Sequence, residues 1–240
     1  MTVKGKFYGI GVGPGDPGLL TLKAAALLQR VPTVFVPVRE HGESSTAMSI
    51  ISPFVREQEV CDLVFPMTKD AGELARGWEL AAEQVLAVLR EGKDAAFVTL
   101  GDSALYSTHA YLLEALLKLE PDLAVETVPG ITSFSAAAAL FNCALTCGQD
   151  ALAVVPATRG REYLKMVLSD FENVVLLKVG SVLDEILDLL QDCGRLGDAV
   201  YISRCGMPGQ VMLDDLASGE EIPRDYFSLI IVRKVERKDG

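Results

Sequence analysis

Histidine is almost missing from this chain. His41 and His109 are the only two in 240 residues, so a histidine-rich metal site cannot be assembled. The five cysteines, Cys61, Cys143, Cys147, Cys193 and Cys205, are odd in number and scattered. Only Cys143 and Cys147 are close, at helical i,i+4 spacing, and no histidine stands beside them to complete a zinc set. Buried, reduced thiols are the expectation. Long hydrophobic runs are absent too: stretches such as residues 135–141 are too short to span a bilayer. Positive charge is scarce, with 22 Lys and Arg against 33 Asp and Glu and a net charge of −11. That balance argues against nucleic acid, whose binding rests on cationic contacts to phosphate. An anionic small molecule would need a local basic pocket. The first six residues run straight into an apolar strand, leaving no room for a signal peptide, so a cytoplasmic protein is expected.

What the chain does have is apolar material: half its residues are hydrophobic and mean hydropathy is +0.29. It reads as globular, long enough for one large domain or two small ones. Strand and helix patterns alternate. A strand from Phe7 leads through glycines to a helix over 19–28. Then come a strand over 33–38 ended by Pro37, a short helix within 44–55 capped by Ser44 or Ser45, and a strand over 59–66. A long amphipathic helix over 71–90 stops at Gly92. A wholly apolar strand over 94–100 and a helix over 109–119 follow, and the polar break Glu120-Pro121-Asp122 places a domain boundary between 121 and 122.

The second half offers a strand over 124–128 and an alanine-rich helix ending near Asn142, whose small residues would let a sheet or a partner subunit approach closely. Strands over 151–155, 173–178 and 199–203 alternate with helices over 162–169 and 183–193. The runs 209–213 and 226–232 lie too close together for a helical crossover and suggest an antiparallel edge on a second sheet. The fold class is α/β: two domains, a mostly parallel first sheet and a mixed second one.

Three loops stand out, each after an apolar strand: Gly13-Pro14-Gly15-Asp16, Leu100-Gly101-Asp102-Ser103 and Pro129-Gly130-Ile131-Thr132-Ser133. Residues 13–18 satisfy the dinucleotide fingerprint by letters, yet two positions are proline, which has no N–H to offer a phosphate. The acid expected at the end of the second strand is also missing: the sequence there is Pro37-Val38-Arg39-Glu40. A rigid small-molecule loop fits better than a pyrophosphate site. Each loop singly is equally a tight strand-to-helix turn; the three in this order are far more specific. Asp16 is expected to cap the first loop or helix, with Pro17 in its first turn.

On these loops the chain resembles the tetrapyrrole (corrin/porphyrin) methylases. The resemblance rests on residues 9–21, on Leu100-Gly101-Asp102 and on residues 129–134, and it runs in order over essentially the whole chain. Tyr106-Ser107-Thr108, residues 132–136 and residues 154–158 are most similar to the branch that methylates C-20 of precorrin-2 or cobalt-factor II. In one departure, Ser103 stands where most members have proline, which frees φ and adds a hydroxyl.

The resemblance implies S-adenosylmethionine as methyl donor, bound in a cleft between two α/β domains, and a homodimer. It implies a donor site including Pro14, the backbone of Leu100, Gly101 and Asp102, then Leu105, Thr132, Ser133, the backbone near Val179, and Gly206. A sulfonium methyl is already activated, so the enzyme mainly supplies position, and no metal is required. Asp102 is the candidate base for the proton lost at the methylated carbon, and equally a turn-capping aspartate. Tyr106 either orients donor or substrate or packs in the core. The acceptor carries several carboxylates, for which Arg39, His41, Arg159, Arg161 and Arg204 are candidates, each also readable as a solvated surface group. Residues 233–238 read as a charged tail. Other readings stay open: a methylase of the same fold acting at another ring position or on a diphthine precursor, a nicotinamide-dependent oxidoreductase, or a non-catalytic binding module.

Overall fold

The computed structural model describes residues 5–233 apart from 41, 44, 66, 67 and 69. The chain divides into two compact units, residues 1–132 and 133–240. In the first unit five strands form one sheet: β1 (Phe7–Gly11), β2 (Thr33–Val38), β3 (Glu59–Val64), β4 (Ala95–Thr99) and β5 (Val125–Val128), in the order β3-β2-β4-β1-β5. Every pairing in it is parallel. Helices cover both faces, as a parallel sheet requires. On one side α1 (Leu22–Leu28) and α2 (Thr46–Ile51) pack Leu27, Leu28, Ile50 and Ile51 against Ile10, Val34 and Val98. On the other, α3 (Ala71–Arg90) and α4 (Thr108–Leu119) pack Val85, Leu89, Leu112 and Leu116 against Phe7, Phe35 and Phe97.

The second unit opens with α5 (Ser133–Leu140) and builds a mixed sheet. Its strands are β6 (Leu152–Pro156), β7 (Asn173–Leu177), β8 (Ala199–Ser203), β9 (Val211–Leu213) and β10 (Ser228–Val232), in the order β6-β7-β10-β8-β9. Helices α6 (Arg161–Asp170) and α7 (Leu183–Asp192) bury Leu164, Val167, Ile186 and Leu189 against it. The alanine-rich α5, with Ala136, Ala137 and Ala138 buried, lies against β10, so the element its small residues admit is a sheet.

Several expectations change. The boundary expected at 121/122 falls at 132/133, because β5 completes the first sheet by pairing with β1. The helix expected over 19–28 is split. Asp16 Oδ1 accepts from Gly18 N at 2.7 Å to cap a 3-10 turn over Pro17–Leu19, and Thr21 then caps α1 anew through Ala24 N at 3.1 Å. Pro37 does not end its strand. The pairing of β2 with β4 stops at Phe35, so Pro37 sits where β2 is paired on one side only. The helix within 44–55 ends at Ile51, since Pro53 has no N–H to continue it. The run 226–232 is not an edge: β10 lies between β7 and β8, antiparallel to both, and β9 alone is the antiparallel edge. All five cysteines are free, but only Cys205 is buried and Cys147 is exposed.

Candidate functional site

In the first unit the three loops leave the carboxyl ends of β1, β4 and β5, which are neighbours in the sheet, the end of an open α/β sheet where ligands bind. They meet through backbone. Gly13 N donates to the Gly101 carbonyl at 3.1 Å and Gly101 N to the Gly13 carbonyl at 2.8 Å, with φ of +79° and +73°. Glycine suits that left-handed geometry. A Cβ on Gly130 would stand 2.2 Å from the Gly101 carbonyl oxygen and 2.7 Å from Gly11 C, and one on Gly11 would stand 2.7 Å from Gly130 N. Gly11 at the end of β1 and Gly130 in the third loop therefore close on the Gly101 carbonyl at a spot that a side chain on either cannot enter.

Side chains then tie the loops together. Asp102 Oδ1 accepts from Ala104 N at 2.9 Å, which closes its own loop, and Oδ2 accepts from Gly130 N at 2.8 Å. Of its two readings, the turn-capping one is what the contacts display. Ser103 is completely buried and donates its hydroxyl to the Val128 carbonyl at 2.8 Å. That bond ties the second loop across to β5. Beyond it, Leu105 and Tyr106 are exposed rather than packed in the core. Tyr106 has φ of +49°, a conformation a bulky residue adopts only when its surroundings hold it there. Ser107, next in the chain, caps α4 through His109 N at 3.0 Å and donates to Thr99 Oγ1 at 3.1 Å. Pro14 is buried, and Leu100, Gly101, Asp102 and Thr132 are half-buried.

Behind these loops lies His109, in sequence no more than the first residue of the helix expected over 109–119. His109 is buried, stacked on Phe7 and Phe97 at ring separations of 5.9 and 6.5 Å, with Nε2 3.3 Å from Thr127 Oγ1 and Nδ1 without a partner. Burial lowers its pKa from the ordinary 6.5, favouring the neutral ring. Its ring occupies the space a side chain on Gly9 would take, since a Cβ there would lie 1.9 Å from Cε1. The alternation Gly9, Gly11, Gly13 carried the signal: glycines two apart clear a single face of a strand.

In the second unit, β6, β7 and β8 run parallel to one another, and the candidates follow their carboxyl ends. Val179 is fully buried and opens the turn after β7; Lys178 before it has φ of +60°. A Cβ on Gly180 would lie 2.1 Å from the Asp225 carbonyl oxygen, so this turn abuts the entry to β10. After β8, Arg204 adopts φ of +53°, donates its N–H to the Phe227 carbonyl at 2.8 Å, and bonds the Pro208 carbonyl through Nε at 3.0 Å and Asp225 through Nη1 at 3.2 Å. Gly206 has φ of +72° and donates its N–H to Gln210 Oε1 at 2.7 Å. Arg159 lies over the Tyr163 ring at 4.7 Å, and Arg161 pairs with Asp192. Ser133 starts α5. Arg39 is exposed, and His41 lies outside the described residues, as do residues 234–238 of the expected tail. Among the described residues no group of three or more His, Cys, Asp or Glu is placed to hold a metal ion.

Residues 6–218 match the family described as Tetrapyrrole (Corrin/Porphyrin) Methylases. The chain is 36% identical to a probable cobalt-precorrin-2 C(20)-methyltransferase of Methanocaldococcus jannaschii, over 97% of each chain. It is 34% identical to the cobalt-precorrin-2 C(20)-methyltransferase of Salmonella typhimurium, over 97% of this chain and 98% of that one. Among solved structures, a uroporphyrin-III C-methyltransferase of Thermus thermophilus complexed with S-adenosyl homocysteine superposes with a TM-score of 0.67. It is 23% identical and covers 95% of this chain and 97% of its own, a likeness of fold.

Proposed function

The chain belongs to the tetrapyrrole (corrin/porphyrin) methylases, and from that membership we infer that it is an S-adenosylmethionine-dependent methyltransferase acting on the C-20 meso carbon of precorrin-2 or its cobalt-bearing counterpart. The observation that carries this reading is end-to-end similarity to C(20)-methyltransferases above 30% identity.

The first unit's loops fit the donor. The N–H groups of Gly13 and Gly101 are spent on each other's carbonyls, that of Gly18 on Asp16 and that of Gly130 on Asp102, while Pro14 and Pro17 have none. A pyrophosphate would find few amides left, which counts against a nicotinamide cofactor. A sulfonium donor needs no such amides and is compatible with a carboxylate close by. When bound, it supplies a methyl group already activated for displacement.

What this chain supplies is placement, and holding two reactants in line is worth several orders of magnitude in rate. Pro14, Leu100, Gly101, Asp102, Leu105 and Thr132 are proposed to hold the donor; Ser133, Val179 and Gly206 are added on family resemblance. Both oxygens of Asp102 already accept backbone N–H groups, so its first role is to orient the loops. Any proton it takes from the methylated carbon goes to the lone pairs those bonds leave. Tyr106, exposed and held at an unusual φ, is proposed to orient the substrate. Arg39, His41, Arg159 and Arg204 are proposed for its carboxylates, Arg204 in competition with Asp225. We further propose a cytoplasmic homodimer, on the resemblance; no helix among the described residues is long and apolar enough to cross a membrane.

The test is incubation with isotopically labelled S-adenosylmethionine and, separately, precorrin-2 and cobalt-factor II, read by mass spectrometry. One labelled methyl per ring supports the reading, and no transfer to either overturns it.

A further inference from the structure

We propose that Ser103 is a positioning residue for methyl transfer: by pinning the Val128 carbonyl, its hydroxyl holds the third loop in the shape that binds the donor. The inference rests on the methyltransferase reading above. Ser103 is fully buried and its hydroxyl donates to the Val128 carbonyl at 2.8 Å. Val128 is the last residue of β5. Two residues on, Gly130 N donates to Asp102 Oδ2 at 2.8 Å, and a Cβ on Gly130 would lie 2.2 Å from the Gly101 carbonyl oxygen, so backbone packs closely there. The chain is thus gripped on both sides of Pro129, whose own φ is fixed by its ring. With both flanks held, the direction in which Ile131 and Thr132 leave the sheet is set by Asp102 and Ser103 together.

A proline at position 103 would stiffen the second loop but has no donor for Val128. Serine reaches the same rigidity from the other side, by tying the second loop to the strand that launches the third. The bond is neutral and out of solvent, so its loss removes a side-chain partner that a buried carbonyl has beyond the strand pairing of β5 with β1. A bond that only stabilised the fold would lower the melting temperature and leave the folded protein's affinity for the donor product untouched. A bond that positions the loop changes that affinity as well.

The experiment is calorimetric titration of the full chain with S-adenosylhomocysteine, well below the melting temperature, for the unaltered protein and Ser103→Ala. Ser103→Ala is expected to raise Kd about fivefold, as the loss of one buried neutral hydrogen bond would. KM for S-adenosylmethionine should rise in step, with kcat at saturating donor within about twofold. Should Ser103→Ala fail to fold, Ser103→Cys, with a weaker donor in the same place, is expected to weaken binding by a smaller factor. Binding that is indifferent to residue 103 overturns this inference alone. Failure of the unaltered protein to bind S-adenosylhomocysteine overturns both this inference and the reading beneath it.

Discussion

In the first unit Gly11, Gly101 and Gly130 press backbone on backbone where three loops meet, and Asp102 and Ser103 lock the contact with short bonds to main-chain atoms. In the second unit the turn at Gly180 is pressed against the Asp225 carbonyl in the same way, but the rest is shaped largely by ordinary residues. Lys178 and Arg204 take positive φ themselves, and Arg204, Asp225 and Gln210 hold the turns with side chains, partly in solvent. A backbone-packed site tolerates almost no substitution. A side-chain-held site is soft and able to exchange its internal partners for a ligand's.

The largest effect is expected where the three loops meet. Gly130→Ala would drive a Cβ to 2.2 Å from a carbonyl oxygen. Relief of that overlap costs about 3 kcal/mol or more, a fall in Tm on the order of 10 °C, with loss of S-adenosylhomocysteine binding. A variant that melts and binds like the unaltered protein would remove the distinction between the units.

Next is Asp102→Asn, whose amide nitrogen cannot accept a backbone N–H, so one of the two bonds is lost. Binding of S-adenosylhomocysteine should weaken roughly tenfold. If Asp102 also takes the proton, kcat falls further. An unchanged Kd would show that the loops do not depend on this carboxylate.

A third test is acid stability. The pKa of His109 is lowered in the fold, so the unfolded chain binds more protons below the ordinary 6.5, and stability falls as pH drops through and below that value. Tm should decline by a few degrees between about pH 7.5 and 5.5, and His109→Phe, which can still stack on Phe7 and Phe97, should flatten that slope. Glu126, held at about 2 by Lys23 and Lys6, acts elsewhere: its contribution is complete above about 4.5 and is lost only as pH falls from there toward 2. A slope confined to pH below 4.5 would exclude His109 as its source.

The smallest effect is expected in the second unit. The Arg204–Asp225 pair is partly exposed, so Asp225→Asn should change stability by less than about 1 kcal/mol. Freeing the guanidinium should lower KM for the tetrapyrrole about two- to threefold. A raised KM would make Arg204 a loop brace alone.

The same contrast explains what was legible in the sequence. Glycine and proline record backbone demands letter by letter, so the first unit's strands and three loops could be read directly, down to Asp16 capping its turn. Ser103 could be flagged as a departure, but its partner Val128 is 25 residues away and no local pattern names it. His109 reads as one more helical residue unless Gly9 is recognised as space made for its ring. In the second unit Arg204 carries no mark of its positive φ, since that conformation is imposed by Phe227, Pro208 and Asp225. The place of β10 inside the sheet was equally hidden, because strand order depends on long-range pairing that spacing does not encode.

The most direct test of the whole account is the position of the transferred methyl group, read by carbon NMR after reaction with carbon-13-labelled S-adenosylmethionine. The account predicts a single enriched methyl on C-20 of the tetrapyrrole. Enrichment at any other ring carbon, or on no tetrapyrrole at all, would contradict it.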